Sequence, residues 1–437
     1  MPGRVIKKSS DAEMRPDWTL IGYSDCPQTT LDGHAYAKNI VDTWDATIAN
    51  RNNAYYEDRQ LMYFPKNIDT TGITNIESMF ENSNIEDLYL NVPNATGNKL
   101  CNNCFNLRNA EIILNYDITN ISYMFQNCYA LESVELKDDT NPWSPSNDIL
   151  SNQHITNIDY LFNNCHSLKH FQGGSSSSDN PTTIITSANN AFYYCDKLEE
   201  LTLGLPCCNN LGMAYAGKNA LNGCKFEIYM GVVSTDPNLI FKCDHTKIAS
   251  ESHFDIERCT NMAESFRNSD IDMEDSLLIL KGTLSNMYTG FSCERLFYGC
   301  NFPNGTSEID ITSVSNAQQM FGNCIFGNNI CDVSDIKFGS DLQNYYKMFE
   351  NCPTLHTITG LQWPLYGTNF TDMFISTPNL DDTTINNLLD FFAHANAYTG
   401  TKTLYEVGFR SGDYSAARIQ ALSNYSDFIT AGWTIGY

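Results

Sequence analysis

Apolar positions along this chain recur in one phrase, coil after coil. Between Ile118 and Leu136, the residues Phe125, Cys128, Leu131 and Val134 follow at intervals of three. Between Ile155 and Phe171 the same intervals hold Phe162, Cys165, Leu168 and Phe171. The phrase returns as Phe192, Cys195, Leu198, Leu201 and as Phe349, Cys352, Leu355, Ile358. Looser copies join Phe80 to Ser83, Leu88 and Leu90, and Cys101 to Cys104, Leu107, Ala110 and Ile112. Leu221 with Cys224, Phe266 with Ser269, Phe297 with Cys300, Phe321 with Cys324, and Phe374 with Thr377 extend the series. About eleven units result, the signature of a repeat architecture.

Within one unit, Ile121, Met124, Phe125 and Cys128 stand at i, i+3, i+4 and i+7, which predicts a short helix with Asn120 as its N-cap. Val134 and Leu136 then alternate with Glu135, which predicts a short strand with one buried face. Neither element can bury its apolar side alone. Stacking units solves this, so the expected fold is an α/β solenoid over residues 71–380, with parallel strands on one face and short helices on the other.

The ends are expected to cap the stack. Residues 1–70 carry a helical face (Tyr36, Ile40, Val41, Trp44, Ile48), a strand from Trp18 to Tyr23 and a polar arm from Asp11 to Asp17. They exceed what a cap requires, so this region is also expected to attach the protein to its assembly. Residues 381–437 predict a helix through Ile385, Leu388, Leu389 and Phe392 and a strand over Leu404–Phe409. A second helix over Ala416–Leu422 and a last strand at Trp433–Ile435 complete this cap. Insertions interrupt the array near 138–154, 172–184 and 231–258, and solenoid insertions often bind.

The phrase Asn-apolar-x-x-Met/Leu-Phe-x-x-Cys-x-x-Leu resembles the BspA-like class of leucine-rich repeats, over roughly Ile73 to Leu380. Membership of that class would imply a binding solenoid of the kind found in bacterial surface adhesins and related secreted or mobile-element proteins.

Composition then narrows the function. The chain of 437 residues is 42% hydrophobic, ample for a packed interior, and its 51 acidic residues outweigh 26 basic ones to give a net charge of −25. So acidic a surface repels phosphate backbones and anionic lipid, which argues against nucleic-acid binding and membrane docking. The start, Met1 to Asp11, has no secretory apolar core, and no run approaches bilayer-spanning length. The expected setting is therefore a phage virion assembled in the bacterial cytoplasm, with the bacterial cell surface as the alternative.

Candidate chemistry is sparse. Cys101 and Cys104 have zinc spacing, but Cys104 shares its register with Cys128, Cys165, Cys195, Cys224, Cys300, Cys324 and Cys352. Ser83, Ser269 and Thr377 replace it elsewhere. A recurring small residue marks a reduced, buried slot rather than a metal site. Cys207, Cys208 and Cys331 fall outside the register and receive no role. His166 and His170 are separated by an expected turn, and no nucleophile elbow, phosphate loop or zinc-protease motif occurs. No enzyme activity, metal or cofactor is expected. The 24 tyrosines and the abundant asparagines are left for surface contacts. Outward positions on the strands, Tyr89, Glu111, Glu135, Thr202 and Thr359, are the candidate binding residues, with the insertions as an equal alternative. The expected partners are other virion proteins, a host surface protein or glycan, and further copies of the chain.

Overall fold

The computed structural model describes residues 28–66, 68–115, 117–138, 154–174, 185–205, 208, 210–212, 225–230, 240–243, 245–259, 261–282, 291–306, 309–338 and 342–436. Outside them lie the expected arm and strand of residues 11–23, most of the 138–154 and 172–184 insertions, the Leu221–Cys224 unit and Cys207. The chain divides into two compact units, 1–205 and 206–437. Both are built as parallel-strand β-solenoids.

In the first unit a helix α1 (Gln28–Thr43) precedes five strands: β1 (Asp87–Val92), β2 (Asn109–Leu114), β3 (Ser133–Asp138), β4 (His170–Gly174) and β5 (Glu200–Leu205). β1, β2 and β3 pair in parallel in that order, Leu90 beside Ile112 and Ile112 beside Leu136. β4 pairs in parallel with β5, Phe171 beside Leu201. Alternate residues of β1 and β2 are buried, as the period of two demands.

In the second unit the strands Lys225–Met230, His253–Cys259, Leu277–Gly282 and Ile309–Asn316 form one parallel ladder. A second ladder joins the short strands Lys247–Ile248, Asp270–Ile271, Asn301–Phe302 and Ile325–Phe326. Ile330–Asp332 pairs with Thr357–Thr359.

Opposite the strands, the expected short helices are replaced by consecutive turns. Between Ile121 and Cys128, the N–H groups of Met124, Gln126 and Cys128 bond to carbonyls three residues back. The alternate N–H groups of Tyr123, Phe125 and Asn127 instead reach the next coil, at Asp159, Leu161 and Asn163. An α-helix spends its N–H groups inside one segment; here half of them hold neighbouring coils together. Tyr123 and Asn127 accordingly sit at φ of 61° and 60°, in the left-handed region that no helix interior accepts. The same pair of positions recurs as Ser78/Asn82, Tyr160/Asn164, Gln319/Asn323 and Lys347/Asn351. Asn120 does not cap a helix either: its Oδ1 accepts from the Ser122 N–H two residues on, a turn motif that Asn157, Asn316, Asn344 and Asn369 repeat.

Four further expectations change. α1 ends at Thr43, before Trp44 and Ile48 of the face that was to continue it. The described part of the 231–258 insertion, residues 240–243 and 245–258, is regular: Cys243 bonds to Ser265 of the following coil, and Lys247–Ile248 and His253–Cys259 lie in ladders. Residues 404–409 are a turn segment, whose Glu406 and Val407 carbonyls receive Asp372 and Phe374. Trp433–Ile435 contributes a single parallel bridge, Thr434 to Thr403. The C-terminal part carries helices α2 (Asp382–Ala393), α3 (Ala416–Gln420) and α4 (Tyr425–Thr430); Phe392 of α2 and Phe428 of α4 pack on the buried Trp433, and Asp381 caps α2 through the Thr384 N–H. Among the described residues, no helix is long and apolar enough to cross a membrane.

Candidate functional site

Three columns of side chains run along each stack. In the ring column, Phe125 lies parallel to Phe162 at 5.5 Å, and Phe321, Phe349 and Phe374 follow one another at 5.5 and 5.6 Å. Tyr55 takes the same slot against Phe80 at 5.6 Å, so the first coil already lies within residues 50–58.

The thiol column is the second. Cys165 donates to the Phe125 carbonyl one coil back at 3.1 Å, Cys195 to Phe162 at 3.2 Å, and Cys352 to Phe321 at 3.0 Å. Ser269 and Thr377 make the same bond with hydroxyls, to Cys243 at 3.1 Å and Phe349 at 2.6 Å. The slot therefore requires a donor as well as small size, and the exclusive use of Cys, Ser and Thr was the signal for it. Cys243 occupies the ring slot of its own coil, its carbonyl accepting from Ser269, and Thr246 follows three residues later at the donor position, a unit unnoticed in the sequence. Burial raises the Cys165 and Cys324 thiols well above the ordinary value and Cys352 to about 12. Cys208 and Cys331 are also buried, the latter accepting from the Thr306 hydroxyl at 3.6 Å. Among the described residues, no group of three or more His, Cys, Asp or Glu is placed to hold a metal ion.

Asparagine makes the third column. Asn127 donates to Asn103 at 2.7 Å and Asn164 to Asn127 at 2.6 Å, each from a left-handed position. Much of the asparagine set aside for contacts is thus spent on the scaffold.

What faces outward is the candidate site. Tyr89, Glu111 and Glu135 are direct neighbours across β1, β2 and β3. Lys137 bridges the two carboxylates at 3.2 and 2.7 Å, and Lys66 lies over the Tyr89 ring at 5.2 Å. Partial burial pulls the Lys137 ammonium down, but the hydrogen bonds to Glu135 and Glu111 outweigh it and hold it above its usual value. Thr202 sits apart from this trio, beside Gln172 on β4 and β5. Thr359 belongs to the second unit, beside Asp332.

Two surfaces escaped the sequence reading. On the turn side of the first unit, the residue after each column cysteine forms a row: Phe105 stacks on Tyr129 at 5.1 Å, and Tyr129 approaches His166 at 5.2 Å. Phe105 and Tyr129 are 42% and 43% exposed, and His166 Nδ1 meets Asp196 at 2.5 Å. Aromatics immediately after successive cysteines were the available clue. In the second unit, a cleft of about 160 Å³ opens between the 358–363 segment and α2. Ile358, Thr384, Leu388 and Phe391 are buried beneath it, and Trp363, Asn387 and Asp390 line it. Trp363 lies flat on His394, 3.8 Å between centroids, and donates its Nε1–H to Asp390 at 2.8 Å.

These features define a class, a parallel-strand β-solenoid whose interior columns hold neighbouring coils together and whose outward rows present side chains to solvent. Residues 260–388, in the second unit, match the family described as a Mycoplasma protein of unknown function, DUF285. No curated protein and no solved structure matches the chain.

Proposed function

We propose that the chain is a BspA-like leucine-rich-repeat protein that works without catalysis, as a recognition scaffold. The observation that carries this reading is the exposed row of Phe105, Tyr129 and His166, held one per coil by a rigid stack. Exposed aromatics in a fixed row supply contact area at little entropic cost, whereas the described column thiols, strong nucleophiles when ionised, are enclosed. The Tyr89, Glu111 and Glu135 row offers a second, acidic contact surface.

The setting proposed first is a virion appendage: the N-terminal region attaches to other virion proteins, copies associate, and the solenoid meets a host surface protein or glycan. A second setting, the surface of a bacterial cell, is favoured by the match to a Mycoplasma family. Antibodies raised against the chain distinguish them, since they would label purified phage particles in one case and intact cells in the other. Recognition itself is tested with fluorescently labelled protein on host cells. Phe105→Ala with Tyr129→Ala should reduce binding at least tenfold while the melting temperature holds. Labelling of neither particles nor cells, together with no cell binding, overturns the reading.

A further inference from the structure

The cleft beside Trp363 has the chemistry of a small-ligand site, and its construction says which ligand. Its floor is apolar and buried (Ile358, Leu388, Phe391), while its rim carries one amide, Asn387, and one carboxylate, Asp390. Trp363 is 54% exposed even though His394 covers one face of its ring, so its other face is open to a ligand. The indole is not free to swing: its Nε1–H is tied to Asp390, and His394 Nδ1 lies 2.9 Å from the Asp390 carbonyl. The site is thus pre-formed around a fixed aromatic platform, which lowers the cost of binding.

We infer that this cleft binds a single neutral sugar ring, with the axial C–H face of the ring against the open face of Trp363. Its hydroxyls would donate to Asp390 and exchange hydrogen bonds with the Asn387 amide. A sugar ring presents a weakly apolar face and an equatorial girdle of hydroxyls, and the cleft offers the complement of each. An indole stacks on C–H groups, a carboxylate accepts from hydroxyls, and an amide both donates and accepts. The volume of about 160 Å³ suits one ring. Electrostatics select among sugars: Asp390 at the rim of a chain of net charge −25 disfavours uronic and sialic acids. A cationic ligand fits less well. One indole face is no cage for an ammonium group.

This inference deepens the recognition reading, whose own tests rest on the first-unit row and on cell labelling, so the two can fail separately. The test uses the full chain. Saturation-transfer NMR and titration calorimetry are run with methyl glucoside, methyl galactoside, methyl mannoside and N-acetylglucosamine, against glucuronic acid, N-acetylneuraminic acid and tetramethylammonium chloride. At least one neutral sugar should bind at millimolar concentration, with the two acids at least tenfold weaker. Trp363→Ala should abolish the signal, and Asn387→Ala and Asp390→Asn should each weaken it at least threefold. Asn387 is exposed, so its variant keeps the test alive should Trp363→Ala fold poorly. No neutral sugar binding, equal binding by Trp363→Ala and Asn387→Ala, or preference for tetramethylammonium overturns the inference.

Discussion

The repeated thiol fills a buried slot and also donates to a carbonyl one coil back. Cys165→Ala removes both contributions and leaves the Phe125 carbonyl with the Cys128 N–H alone, the lost hydrogen bond costing about 0.5–1.5 kcal/mol. Cys165→Ser keeps a donor and should lose less, because Ser269 and Thr377 already serve in that place. Urea midpoints decide the matter, and equal losses for the two variants would remove the donor role. The same burial couples stability to alkali. Cys165, Cys195, Cys300, Cys324 and Cys352 are raised by burial, so their folded thiols stay neutral where unfolded ones ionise. Below about pH 8.5 both states keep their protons and the full contribution is present. As pH climbs above that value, the unfolded chain releases protons the folded chain retains. Stability then falls by about 1.4 kcal/mol per pH unit for each such thiol, until the folded thiol also ionises. Urea midpoints from pH 7 to 10.5 should drop steeply, and Cys165→Ser with Cys324→Ser should flatten the slope; a level profile in the parent protein would refute the argument. The register of this column was legible at once from its spacing. Its hydrogen bond was not, because a thiol reads as apolar until its partner in another coil is seen.

Among the elements, the strands were easier to read than the turns. Val134, Glu135 and Leu136 alternate as a strand must, and Leu136 lies buried beside Ile112. Ile121, Met124, Phe125 and Cys128 are all inside too, yet they stand on consecutive turns. Positions i, i+3, i+4 and i+7 face one way in both conformations, so periodicity alone cannot separate them. The deciding force is non-local: coil-to-coil hydrogen bonds claim alternate N–H groups, and the backbone must turn left-handed to present them. The asparagine two residues after phenylalanine, at Asn82, Asn127, Asn164, Asn323 and Asn351, was the local trace of that demand. Asn164→Val should cost about 1–2 kcal/mol for the left-handed backbone, whereas Asn164→Gly should recover part of it despite losing the bond to Asn127. A valine variant no worse than the glycine one would restore the helical picture. Phe162→Ala, which breaks the ring column, should cost about 3–5 kcal/mol. Hydrogen exchange should accelerate first in the coils of Phe125 and Phe192, because each coil is held by its neighbours; uniform loss of protection would contradict that.

Over the whole molecule, charge and surface rows set the behaviour. A net charge of −25 opposes compaction by self-repulsion, so added sodium chloride should raise the melting temperature between low ionic strength and about 0.5 M through screening. The candidate surface was legible only in part. Tyr89, Glu111 and Glu135 do align, because strand register follows from the repeat. The aromatic row and the Trp363 cleft did not show, because each depends on which residues separate coils bring side by side. Lys137 offers the means to weigh the strand row against the turn-side row. It is the cation that joins Glu111 to Glu135, and Lys137→Glu would leave carboxylates facing one another across β2 and β3. Half-exposed pairs of this kind contribute roughly 0–1 kcal/mol, so the variant should stay folded while the face becomes strongly acidic. If the strand row makes the contact, host-cell binding should change at least tenfold in Lys137→Glu, rising for a basic partner and falling for an acidic one, and stay unchanged in Tyr129→Ala. If the turn-side row makes it, the two results exchange places. Full binding by both variants would put recognition on neither row.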